Sequence, residues 1–262
     1  MTKLPPAPLT MEGSWILHQM ARLRWNSAQL PEALTSLIAK LESQGSAVFA
    51  MPGHKGDLMF VHFRATPDEL NQADVIVARA LDGIADIVNS YVSVIELGLY
   101  ESTVKLYDSL VAKGIAPYTP EWTQAVEETL GRQRAAMSSR LLPAIPEDKY
   151  LCFYPMNKRR GEQKNWYSLP IQERQRQMAE HGEVGRRYAG SVRQIISGSI
   201  GYEAWEWGVD LFSNNPLVFK HLVYEMRFDQ ASADYGEFGD FFFGVRLKAS
   251  GVAAYLKGET AA

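Results

Sequence analysis

The sequence holds a single cysteine, Cys152, among 262 residues, so no disulfide can close within the chain and a reducing compartment is expected. Flanked by Leu151 and Phe153, that cysteine reads as a small buried hydrophobe. No apolar run approaches the roughly 18 residues of a membrane-spanning helix. The opening MTKLPPAPLTMEGS has no apolar stretch of the kind a secretion signal needs. A cytoplasmic location without a membrane span is the expectation. Excess positive charge is also missing. Lys and Arg number 27 against 30 Asp and Glu, a net charge of −3, so composition offers no field for nucleic acid. Histidines are few: His18, His54, His62, His181 and His221, with no pair at zinc-ligand spacing and no second cysteine to join them.

What is present is one pattern written twice. In the first half, SWILHQMARL reads as a strand and PEALTSLIAKLES as a helix with Leu34, Leu37, Ile38 and Leu41 on one face. SAVFAMPG and DLMFVHFRA follow as two strands. TPDELNQADVIVARALDGIA is a helix opened by Thr66 with Glu69 three residues on, and YVSVIELGLY is a closing strand. The second half repeats the order: KYLCFYPMNK, PIQERQRQMAEHG, RQIISGSI, YEAWEWGVDLF, NPLVFKHLVYEMRF, GDFFFGVRL. Each half is thus β-α-β-β-α-β, the ferredoxin-like unit. The expected fold is α+β, two fused units with two four-stranded antiparallel sheets meeting in a dimeric, barrel-like α/β core. The expected divisions are a disordered tail at 1–12, the first unit at 13–100, a connector or lid at 101–146, the second unit at 147–250 and a tail at 251–262. A connector of that length is often functional.

The polar and aromatic residues that could carry chemistry concentrate between Tyr154 and Gln194. Along a strand, alternate side chains share a face, so Tyr154, Met156 and Lys158 project together. Spacing alone favours ordinary packing for this trio, with Lys158 reaching past the core to water. Lys158, Arg159 and Arg160, with Arg186, Arg187 and Arg193 further on, could clamp an anion or could form a solvated basic surface. His181 shares a helix face with Met178 and Gly185 and is followed by Gly182. Small neighbours leave room for a flat ligand against an imidazole, a standard haem-iron ligand. The competing reading is a helix C-terminal histidine with Gly182 as its cap.

The segments FYPMNKRRGEQKNWYSLP, AEHGEVGRRYAGSVRQIISGSIGYEAWEWGVDLF and YEMRFDQASADYGEFGDFFFG resemble the coproheme decarboxylases of the chlorite dismutase superfamily. The resemblance is dense from about Arg140 to Leu247 and collinear but weaker from Gly13 to Tyr100. It implies two fused ferredoxin-like units, a homopentamer, and a porphyrin site in each C-terminal half. Matched position by position, Tyr154 falls on the radical tyrosine and Lys158 on the lysine beside the reacting propionate. His181 falls on the iron ligand. Met156 and Trp166 fall on pocket residues and Gln194 on the distal glutamine. Arg140, Arg227, Ser232 and, on a thinner alignment, Tyr100 fall on residues that hold propionates.

The implied activity is hydrogen-peroxide-dependent oxidative decarboxylation of two propionates of Fe-coproporphyrin III (coproheme), giving vinyl groups and haem b through a tyrosyl radical. Coproheme would be both substrate and redox centre. Gln194 stands where chlorite-degrading relatives carry an arginine, which argues against chlorite as substrate. A non-catalytic haem carrier and a general haem peroxidase are the alternatives. A transient ferrochelatase contact for delivery is the one outside partner considered. The stretch from about Glu101 to Ser139 is longer and more helical than the family leads one to expect.

Overall fold

The structure, a computed structural model, describes residues 4–259. The first unit runs β1 (Thr10–Leu23), α1 (Leu30–Ser43), β2 (Ser46–Ala50), β3 (Leu58–Arg64), α2 (Pro67–Ala80) and β4 (Ala85–Gly98). Three connector helices follow: α3 (Tyr100–Ala112), α4 (Pro120–Ala136) and α5 (Ser138–Leu141). The second unit runs β5 (Tyr150–Lys158), α6 (Ile171–Arg187), β6 (Arg193–Gly198), β7 (Trp207–Ser213) and α7 (Leu217–Met226). It ends with α8 (Gln230–Tyr235), β8 (Gly236–Phe238) and β9 (Phe242–Arg246), before a last helix α9 (Val252–Leu256). Local chemistry sets several of these boundaries. The Thr66 hydroxyl accepts from Glu69 N at 3.2 Å while the Glu69 carboxylate accepts from Ala65 N at 3.0 Å, so α2 starts with both ends of its first turn satisfied. At Gly13 a Cβ would stand 1.9 Å from the Leu141 carbonyl oxygen; glycine there lets the end of the connector lie against β1.

Within the first unit the strand order is β4-β1-β3-β2, and within the second it is β6-β7-β5-β9. The two expected four-stranded sets join edge to edge: β4 pairs with β6 and β2 with β9, all antiparallel, in one nine-stranded sheet. The β5–β7 pairing closes the circuit, and β8 hangs on β5 outside it. Alternation along the strands then sorts side chains onto two faces. One face gathers Ile16, Met20, Phe49, Met59, Val61, Leu151, Phe153, Phe212 and Phe242 from both units into a shared core. On the other face Val48, Leu58 and Phe60 meet α1 and α2, whereas Cys152, Tyr154, Val209 and Leu211 meet α7.

Other boundaries differ from expectation for physical reasons. Residues 10–12 belong to β1, and residues 4–9 are seated rather than loose: Leu4 packs on the Tyr107–Trp122 cluster and Leu9 N donates to Thr103 Oγ1 at 2.9 Å. Met1–Lys3 and Thr260–Ala262 lie outside the described residues. The tail beyond 251 contains α9, whose Val252 is buried against the α1 core. Tyr100 opens α3 instead of ending β4. Helix α6 continues past Gly182 to Arg187, so Gly182 is not a cap. Strand β7 begins only at Trp207.

Candidate functional site

The sheet face that meets α6, α7 and α8 carries most of the residues singled out in the sequence. Tyr154 and Met156 sit in one cluster on β5. The Tyr154 ring stacks on Phe241 with centroids 4.4 Å apart and leans on Phe238 at 5.9 Å. Burial pushes its phenol well above the usual range, with the Arg227 charge opposing, so it stays protonated at neutral pH. Arg227, at the end of α7, lays its guanidinium over the same Phe238 ring at 4.5 Å. It also lines a cleft of about 420 Å³ with Lys220, Phe219, Phe241 and Cys152. Burial raises the Cys152 thiol to about 12, which leaves it inert as a nucleophile.

Lys158 closes β5. Its ammonium donates to the Ala231 carbonyl at 2.9 Å and lies 4.8 Å from the centre of the Trp166 ring. Burial pulls it down to about 8, against the attraction of Asp229. Trp166 is itself buried among Ala231, Tyr235, Tyr100 and Met178, so Lys158, Trp166 and Tyr100 form one continuous group.

His181 stands on α6 with its side chain 27 % exposed. Its Nδ1 is 2.9 Å from Asp229 Oδ2, and Ser232 Oγ lies 3.4 Å from the same nitrogen. Asp229 is buried and caps α8, accepting from Ser232 N at 2.9 Å. Burial alone would raise its carboxyl, but the His181 bond and charge and the Ser232 bonds together hold it below the ordinary value. In the neutral imidazole the carboxylate selects the tautomer with the proton on Nδ1, so that Nε2, unpartnered among the described residues, presents its lone pair, the arrangement that metal-binding imidazoles use. Further along α6, a Cβ at Gly185 would stand 3.5 Å from both the Gln194 amide nitrogen and the Met226 methyl, so Gln194 faces this helix one turn beyond His181.

Lys158, Trp166, Tyr100, Ser232 and His181 therefore converge around α8, while Tyr154, Met156 and Arg227 meet through Phe238. Arg140 stands apart on α5, exposed, with Met137 as its only hydrogen-bond partner among the described residues. Sequence reasoning missed Asp229, Phe238 and Phe241. The D-x-x-S spacing before a short helix marks Asp229 as a cap, but nothing local announces its bond to a histidine on another helix.

Residues 27–247 match the family model described as chlorite dismutase, and the chain belongs to that family. Among its relatives is a coproheme decarboxylase of Thermus thermophilus, 40% identical over 269 residues that cover 97% of this chain and 98% of that one. Another is a putative heme-binding protein of Halobacterium salinarum, 39% identical over 97% of this chain and 51% of the relative. The chain thus spans about half the length of that halobacterial relative. A solved heme-binding protein from Thermus thermophilus superimposes with a TM-score of 0.80 at 38% identity, covering 97% of this chain and 99% of that one.

Proposed function

We propose that the chain decarboxylates coproheme oxidatively to haem b, with the porphyrin held in the C-terminal unit. The observation that carries this reading is the His181–Asp229 pair, with Nε2 unpartnered among the described residues and the buried Lys158 near Asp229, in the same unit that buries Tyr154. The donor set fits a ferric porphyrin rich in carboxylates. Nε2 of His181 would take the iron, and Lys158, Arg227, Ser232 and Tyr100 would hold propionates, with Arg140 as a fifth, outlying cationic contact toward the connector. Bound iron porphyrin supplies the oxidising equivalents of hydrogen peroxide.

The chain's own groups do the rest. Asp229 keeps the imidazole aimed and electron-rich. Phe238 and Phe241 hold the Tyr154 ring and exclude water from it. Burial keeps its phenol protonated, so oxidation removes a hydrogen atom in all, and the oxidised tyrosine then takes a hydrogen atom from the β-carbon of the propionate. Loss of one electron and of carbon dioxide leaves the vinyl group. Each round consumes one peroxide, one propionate carboxylate and one proton, and yields carbon dioxide and two waters. Lys158 pairs with the carboxylate about to leave and so sets which propionate lies against Tyr154. Gln194, a neutral amide, supplies neither a base for peroxide nor a cation for chlorite.

The same reading makes the molecule a cytoplasmic homopentamer that receives coproheme from a ferrochelatase. Among the described residues no helix is long and apolar enough to cross a membrane. A haem carrier would use the same histidine and arginines but has no need of a redox tyrosine, Tyr154, on one strand face with Lys158. Titrating the coproheme complex with peroxide and reading the porphyrin mass tests the proposal. Stepwise loss of two carboxyl groups is expected; bleaching with no vinyl product leaves the carrier.

A further inference from the structure

Arg174 is a deeply buried cation that the chemistry above does not use. It lies on α6, 4% exposed, about two turns before His181 and on the same helix face. A guanidinium so far from water is ordinarily matched by a carboxylate. Here the two acids nearest it on its own helix turn elsewhere, since Glu173 and Glu180 both pair with Arg176. One Nη donates to the Pro6 carbonyl, and Nε is buried without a partner among the described residues. Gln177, one turn on and also buried, leaves its Oε1 unpaired.

Tyr100 is the neighbouring hydroxyl. Burial raises its phenol, while the positive charge of Arg174 and a hydrogen bond with Trp166 oppose the rise and Glu96 adds to it. The Glu96 carboxylate is turned to the Trp207 indole at 3.4 Å rather than to Arg174. On the solvent side the seated N-terminal segment covers the guanidinium, held by Leu4 and by Leu9. Two helical turns span about 10 Å, the reach of a propionate arm from the centre of a porphyrin.

We propose that Arg174 and the Tyr100 hydroxyl form a carboxylate subsite on the His181 face of α6, which holds a propionate that Tyr154 does not attack, with residues 4–9 as its cover. The inference rests on the coproheme reading above. The free Nε and an Nη together offer the two-pronged geometry that a carboxylate takes. Holding one propionate there leaves the porphyrin a single orientation in which another faces Tyr154.

Absorbance titration of Arg174→Gln with ferric coproheme and with its tetramethyl ester tests this. Coproheme affinity should fall about ten- to a hundredfold, the size of a lost charge-assisted hydrogen bond, while ester affinity stays the same. An equal loss for both ligands would show that Arg174 only supports the fold and would overturn the subsite. If Arg174→Gln does not fold, Arg174→Lys carries the test, because lysine keeps the charge but not the fork. It should lose about tenfold for coproheme alone, and an unchanged coproheme affinity would overturn the proposal. Failure of the unsubstituted protein to bind coproheme at all would instead sink the functional reading itself.

Discussion

Helices α1 and α6 hold the same place in their β-α-β-β-α-β units, yet they bury different things. Helix α1 buries Leu30, Leu34, Leu37, Ile38 and Leu41. Helix α6 buries Ile171 and Val184, with Arg174 and Gln177 between them, and turns His181 toward Asp229. The two histidines on these helix-covered faces differ in the same way. His62 is fully buried and both ring nitrogens are engaged, Nδ1 with Ser46 Oγ at 2.8 Å and Nε2 with Gln19 Oε1 at 3.2 Å. Burial, then the charges of Arg64 and His18, pulls it down to about 3. His181 has one nitrogen tied and the other without a partner among the described residues. On its helix-covered face the first unit has tied both nitrogens of its histidine and serves as scaffold, while the second keeps an imidazole nitrogen and a buried guanidinium nitrogen without partners among the described residues.

That contrast fails if the C-terminal face turns out to be ordinary core. The largest effect should come from Tyr154→Phe. Turnover of bound coproheme should drop at least about a thousandfold, some 4 kcal/mol of barrier, with coproheme affinity and melting temperature little changed. Retained turnover, read as vinyl product by mass, would remove the radical role. The matching lesion in the scaffold is Leu37→Ala in α1. It should cost about 2–5 kcal/mol of stability by cavity formation in a denaturant melt, and leave turnover at saturating coproheme unaltered. Next come the histidines. His62→Ala orphans buried partners and should cost about 1–3 kcal/mol while the iron spectrum stays as it was. His181→Ala should do the reverse, altering the spectrum of the coproheme complex with a smaller stability change. If both variants behaved alike, the distinction between the two faces would be lost.

The strand and helix order of both units was legible because alternation and helical periodicity are local signals. Thr66 with Glu69 marked the start of α2 to the residue. That the sheets meet was expected, but which edges join was not legible, since the β4–β6 and β2–β9 pairings involve segments far apart in sequence with no pattern of their own. Helices α8 and α9 are too short for a periodic signature, and Tyr100 follows β4 so closely that its strand-like run hid a change of element. At the site, Tyr154, Met156 and Lys158 were legible as one face, but nothing local separated function from packing. Arg174 was invisible for a similar reason: a lone arginine on a polar helix reads as surface, and only tertiary packing by the N-terminal segment buries it.

Lys158 gives the smallest and most discriminating prediction. Its ordinary value of 10.5 is lowered by burial to about 8 in the folded chain. Below about pH 8 both folded and unfolded chains carry the proton, and the fold bears the full cost of a buried ammonium. Between 8 and 10.5 the unfolded chain holds the proton and the folded chain releases it, so stability rises with pH; above 10.5 the cost is gone. Lys158→Met should therefore stabilise the ligand-free protein at pH 7, by on the order of 1–2 kcal/mol once the lost bond to Ala231 and the Trp166 contact are set against the gain. The advantage should shrink steadily from pH 8 to 10.5 in thermal melts. Coproheme binding should show the opposite preference, because only the charged lysine attracts a propionate: affinity of the unsubstituted protein falls as pH rises through 8, and that slope is missing from Lys158→Met. A variant that lost stability at pH 7 would mean that Lys158 belongs to the satisfied kind of polar group, like His62, and the lysine would drop out of the site.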